Sequence, residues 1–233
     1  MTAALPFVGR RKEVARLADL HARRKHVLIL GPAGVGKSAL IRHAAGFLPL
    51  LVCPESARFS DLCASLEGQF GLDRADRRLA ERKQRLRLAV AEAGKTVALD
   101  GVAWTSPKLS AFLESLSERV PVWVATRSAH PWDIGHCWPL LVRFERVELS
   151  PFHPADSRAL VEAAVRSGRV SAAALEAVER LHRLSAGLPR VLCELLDGLA
   201  TGRYDPRRAF DLKLLDLDRR IQEAGAGPTE NRA

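Results

Sequence analysis

Short apolar runs and amphipathic stretches alternate along the first 150 residues. "HVLIL" (26–30), "LPLLVC" (48–53), "TVALD" (96–100), "VPVWVATR" (120–127) and "RFERVEL" (143–149) predict five strands. Between them the apolar positions follow helical spacing. In "FSDLCASLEGQF" Phe59, Leu62, Leu66 and Phe70 share one face. "DRADRRLAERKQRLRLAVAEAG" (73–94) offers Leu79, Leu86, Leu88 and Val90 as its apolar positions, and Gly94 closes it. Ser106 and Pro107 head the next helix as its cap and first residue. Short continuous apolar strands alternating with helices imply a parallel sheet covered on both faces.

After "LSPFHP" (149–154) the pattern changes. Four helical segments follow, with Gly168, Gly187 and Gly202 as stops. The chain is thus expected to divide into an α/β domain over 1–150, a helical domain over 151–222 and a disordered tail over 223–233.

The length of 233 residues suits one α/β domain with a smaller helical companion. A net charge of +9 favours polyanionic partners, nucleic acid before acidic protein surfaces. No apolar run reaches transmembrane length and the N-terminus lacks a signal-peptide layout, which makes a cytoplasmic protein without membrane contact the expectation. Cys53, Cys63, Cys137 and Cys193 are scattered without metal-ligand spacing, and read as small apolar residues.

"GPAGVGKS" (31–38) matches G-x-x-x-x-G-K-[ST] and lies between a predicted strand and a predicted helix. In such a loop the glycines turn amide groups toward phosphate oxygens, and the helix N-terminus adds its positive end. The expected nucleotide contacts are Gly31, Pro32, Ala33, Gly34, Val35, Gly36, Lys37, Ser38 and Ala39. Lys37 is expected on the β- and γ-phosphates and Ser38 on Mg²⁺. Asp100 closes the third strand and is the second expected Mg²⁺ residue. The fold class expected is therefore α/β: a P-loop NTPase with a five-stranded parallel sheet flanked by helices, followed by a small helical bundle, binding a nucleotide with Mg²⁺.

With these residues the chain resembles AAA+ and STAND P-loop ATPases, nearest to the replication-initiator and transposition-regulator-like bacterial branch, from about Phe7 to Leu199. "FVGRRKEVARL" (7–17) resembles the family's opening box, which implies that Val8, Gly9 and Arg10 line the base pocket. "VWVATR" resembles the strand that senses the γ-phosphate, which implies that role for Thr126 or Arg127. "LLVRFERVEL" (140–149) resembles the segment carrying the arginine finger, with Arg143 the first choice and Arg146 the second. "SAGLPR" (185–190) resembles the lid motif, with Pro189 in the first helical turn and Arg190 at the second sensor position. Two departures stand out. Gly101 follows Asp100 where many relatives have the glutamate that activates water, and little chain remains after the lid for a winged-helix module.

The catalytic candidates implied are Lys37, Asp100, Arg127, Arg143 and Arg190. Two functions compete. One is a nucleotide-dependent assembly or switch factor: a weak ATPase that forms homo-oligomers, on nucleic acid, through basic stretches such as "RADRRLAERKQRLR" (74–87) and "RRKEVARLADLHARRKH" (10–26). The other is a STAND-like regulatory switch that passes its nucleotide state to a partner protein. Arg127 and Gly101 favour the second; Arg143, Arg190 and the short basic chain favour the first.

Overall fold

The computed structural model describes residues 5–54, 58–72 and 79–225, which form two compact units. Residues 10–150 make the first. In chain order its elements are α1 (Arg11–Ala22), β1 (Val27–Leu30), α2 (Lys37–Ala45), β2 (Leu50–Cys53), α3 (Phe59–Phe70), α4 (Leu79–Ala93), β3 (Thr96–Leu99), α5 (Pro107–Ser117), β4 (Val122–Thr126), α6 (Pro131–Ile134), α7 (Trp138–Leu141) and β5 (Glu145–Glu148). All five predicted strands are present and every pairing is parallel, in the order β2-β3-β4-β1-β5.

Burial follows from this order. The inner strands β1, β3 and β4 are buried along their whole length, whereas the edge strands β2 and β5 alternate. Strand β5 spans only "ERVE": Val147 enters the core while Arg146 points to solvent, and Arg143 falls in the turn after α7. Leu62 and Leu66 of α3 pack into the core, with Phe59 and Phe70 against it. In α4 Leu86 and Val90, one turn apart, are fully buried. Leu88, by contrast, is exposed, because two residues along a helix is about 200° around it. Residues 73–78 and the side chain of Leu79 lie outside the described residues. The Ser106 hydroxyl accepts the Leu109 amide and Pro107 begins α5, as their order in the sequence requires.

The second unit comprises residues 5–9 with 151–225, so the chain before Arg10 groups with the helices rather than with the α/β unit assigned to 1–150. Its helices are α8 (Pro154–Arg166), α9 (Val178–Ser185), α10 (Pro189–Ala200) and α11 (Ala209–Gly225), with a 3₁₀ segment over Ala172–Ala177. Leu160, Val161, Leu181, Leu192, Leu195 and Leu212 form its core, on which Leu5 and Val8 pack. Gly187 is fixed there by close approach: its carbonyl accepts the Phe152 amide at 2.7 Å, and a Cβ would meet the Phe152 carbonyl at 2.6 Å. Because α11 runs to Gly225, residues 223–225 of the expected tail are helical; 226–233 lie outside the described residues.

Cys53, Cys63 and Cys137 are buried free thiols and Cys193 is half-buried. Burial pushes the Cys53 and Cys63 thiols up to about 11. Among the described residues no helix is long and apolar enough to cross a membrane.

Candidate nucleotide site

In a parallel sheet ordered β3-β4-β1, the C-terminal ends of three adjacent strands open on one edge. The loop 31–36 leaves β1, Asp100 leaves β3, and Thr126 with Arg127 ends β4. Leu30 is in register with Thr126, and Leu99 with Val124, so the three exits are level to within two residues.

The loop depends on its glycines. Gly34 and Gly36 have φ of +77° and +102°. A Cβ on Gly31 would lie 2.7 Å from the Leu149 carbonyl oxygen and 2.9 Å from a Val35 methyl, so only glycine fits against the end of β5. Gly36 caps α2 without a side-chain hydrogen bond, which leaves the first-turn amides of Lys37, Ser38 and Ala39 without a capping side chain. Val35 is fully buried beneath the loop, whereas Pro32 and Ala33 are exposed at its tip.

Lys37 Nζ donates to the carbonyls of Gly31 (2.6 Å) and Pro32 (2.9 Å). Burial lowers its pKa; Asp100 opposes the shift and Arg127 adds to it. Lys37, Asp100 and Arg127 thus lie within electrostatic reach of one another. The Asp100 amide donates to the Cys53 carbonyl at 3.0 Å, which fixes the start of the turn. Gly101 follows with φ +67°, and a Cβ there would meet no atom within 4 Å. Thr126 is buried, its hydroxyl donating to the Ser128 carbonyl, while Arg127 is exposed.

Arg10 has a structural part that its sequence context does not disclose. It sits at φ +60° with its side chain 7% exposed. Its guanidinium donates to the Val35 carbonyl (3.0 Å), the Ser150 carbonyl (2.6 Å) and Glu13 (3.1 Å). One side chain thereby ties the phosphate-type loop to the chain leaving β5. Val8 and Gly9 belong to the helical unit, where Val8 packs on the core and Gly9 lies against Asp156. In that unit Pro189 starts α10 and Arg190 follows it, exposed and paired with Glu194 at 2.8 Å. Arg143 and Arg146 are also exposed.

The loops after β3 and β4 are stitched together, although no sequence motif marks them. Thr105 donates through its amide and hydroxyl to the Ile134 carbonyl, and its hydroxyl accepts the Cys137 amide. A Cβ on Gly135 would lie 2.8 Å from the Thr105 amide nitrogen. The one available signal was Pro131 after His130, a helix-start dipeptide.

The described part of the basic stretch 74–87 is largely turned inward. Arg82 forms a two-point bridge to the buried Glu67 at 2.7 and 2.8 Å, Lys83 sits over Phe59, and Arg87 over Phe112. These cations stabilise the α3–α4–α5 side of the unit; residues 74–78 lie outside the described residues.

A glycine-lined loop, uncapped helix amides and a lysine are the donor set that a polyphosphate requires, and Asp100 with the Ser38 hydroxyl suits a hard divalent cation. A family model described as "AAA ATPase domain" matches residues 6–204. The chain belongs to that family.

Nucleotide binding, usually with Mg²⁺, is a property of AAA ATPase domains and agrees with this donor set. Among curated proteins no match was found. Solved structures share the fold at low identity. Cdc6p from Pyrobaculum aerophilum is 15% identical over 87% of this chain and 64% of its own, with a TM-score of 0.65. The Orc1 protein of Aeropyrum pernix, solved in complex with DNA, is 16% identical over 97% and 70%, at 0.67. A STAND protein with a tetratricopeptide repeat sensor from Pyrococcus horikoshii is 18% identical over 92% and 33%, at 0.53. The chain thus spans 64% of the length of Cdc6p and a third of the STAND protein.

Proposed function

We propose that this AAA ATPase domain holds ATP with Mg²⁺ and acts in the cytoplasm as a nucleotide-dependent assembly or switch factor, hydrolysing ATP slowly. The observation carrying this reading is that the glycine loop leading to Lys37, Asp100 and Arg127 leave the adjacent parallel strands β1, β3 and β4 at the same edge of the sheet. The loop amides from Gly31 to Ala39 and the Lys37 ammonium bind the phosphates. Ser38 and Asp100 hold the metal, which when bound supplies neutralisation of phosphate charge. Thr126 or Arg127 senses the γ-phosphate, and the family resemblance gives Pro189 and Arg190 the lid's part in reading the nucleotide. Arg143 of a neighbouring copy serves as the finger in a homo-oligomer, with Arg146 the alternative.

Slow turnover follows from Gly101. Its hydrogen cannot take a proton from water, so what remains is positioning and charge stabilisation. A nucleic-acid partner is supported by the +9 charge and by the DNA complex of the Orc1 relative. The inward-facing cations of α4 move the contact surface to α1 and the turn after it, where Arg11, Lys12, Arg24 and Lys25 are exposed.

Calorimetric titration with Mg·ATP tests the site. Lys37→Ala should abolish binding in a folded protein, and parent-like affinity in that variant would remove the assignment. Arg127 near Lys37 favours the STAND-like alternative, a switch read by a protein partner. If ATP changes neither the sedimentation of the chain nor its retention of DNA, that alternative replaces assembly.

A further inference from the structure

Helix α11 has two apolar faces. Leu212 and Leu215 enter the core of the helical unit. On the opposite side Phe210, Leu214, Leu217 and Ile221 are 74, 38, 52 and 60% exposed. At 100° per residue these four lie within a stripe about 60° wide. Their spacing of four, three and four residues is the d-a-d-a seam of a heptad.

The charges beside the seam are sorted by sign. Asp211 and Asp218 both occupy e positions, and Lys213 and Arg220 both occupy g positions. In a parallel pair of helices each g residue faces the e residue five positions on in its neighbour. Lys213 then meets Asp218 of the second copy, twice by symmetry. An antiparallel pair would set aspartate against aspartate and cation against cation. Asp218 accepts the Tyr204 hydroxyl on one carboxylate oxygen, which anchors the acid at the edge of the stripe. In the second half of the seam Ile221 at a with Leu217 at d is the combination that favours two parallel strands; Leu214 and Phe210 in the first half are not.

We propose that α11 is a self-association surface on which two copies of this chain pair in parallel. The contact is isologous, so it closes as a two-fold dimer. It buries about 400 Å² of apolar side chain per copy, about half of a standard interface. The pair is therefore weak.

Sedimentation of the whole chain without nucleotide, from about 5 to 500 µM, tests this. The expected result is a mean mass rising from 25.5 kDa toward twice that value, in the parent and in Lys37→Ala alike. This independence from the phosphate loop separates the dimer from any ATP-driven assembly. Leu217→Asp, an exposed position, should stay monomeric throughout, and Lys213→Glu should weaken the dimer about tenfold. Oxidised Leu217→Cys should give a covalent dimer that the parent does not. The proposal is overturned by a parent that is monomeric at every concentration or by a dimer that survives Leu217→Asp. Tighter pairing in Lys213→Glu or no cross-link in Leu217→Cys would overturn the parallel arrangement.

Discussion

Replacing Arg10 removes the tie between the phosphate-type loop and the end of β5. Arg10→Ala loses two hydrogen bonds from a charged donor to the carbonyls of Val35 and Ser150. At about 1.5 kcal/mol each, with under 1 kcal/mol from the Glu13 pair, the expected loss of stability is about 3–4 kcal/mol. The backbone supplies an internal control. At φ +60° alanine keeps a left-handed strain of about 1 kcal/mol that glycine does not. Glycine's freer unfolded chain takes back about half of that, so Arg10→Gly should be about 0.5 kcal/mol more stable than Arg10→Ala. Arg10→Lys keeps the charge without the fork and should fall between Arg10→Ala and the parent. Urea denaturation followed by circular dichroism gives the ranking, and hydrogen exchange of residues 31–36 reports whether the loop loosens. If Arg10→Ala lies within about 0.5 kcal/mol of the parent, the structural role assigned here is wrong.

Other substitutions probe separate features. Arg82→Ala leaves the Glu67 carboxylate buried without its two-point cation and should cost about 3 kcal/mol in urea denaturation; Arg82→Ala paired with Glu67→Leu should recover most of it. His26 accepts the Val122 amide on Nδ1 and stacks on Phe144, and burial, aided by Lys25, lowers its pKa. The unfolded chain then binds the proton more readily than the fold does, so stability should drop as pH falls below about 6.5 and level off under the folded value. His21, shifted the same way by burial and Arg24, adds to that drop, so His26→Gln should flatten the profile only in part. A full slope in His26→Gln would exclude His26 as a contributor.

What the sequence discloses is what local periodicity controls. The three inner strands were legible because each is a short, continuous apolar stretch that a two-sided sheet buries, and the loop after β1 because its glycines form a spaced motif. Long-range contacts were not legible. Nothing near Arg10 announces a hydrogen bond to Ser150, 140 residues away, and nothing in 74–87 announces that Arg82 turns to Glu67. Strand β5 is shorter than the run predicted because residues 142–144 form the turn after α7, a short helix that the pattern did not mark. The opening segment joined the helical unit because Leu5 and Val8 find apolar partners there, a choice that periodicity cannot express. For α11 the helix was evident but its second apolar stripe became visible only when Leu212 and Leu215 were seen to take the core face.

If Gly101 leaves the site without an acid to activate water, the domain keeps ATP rather than spending it quickly. The direct measurement is a rapid-quench time course of labelled Mg·ATP bound to the purified chain, with Lys37→Ala as the control for site-specific binding. Lys37-dependent retention of intact ATP and turnover below about 0.01 s⁻¹ are expected, far under the ordinary enzyme median of about 10 s⁻¹. Turnover of about 1 s⁻¹ or faster by the isolated chain, or ATP retention that persists in Lys37→Ala, would contradict it.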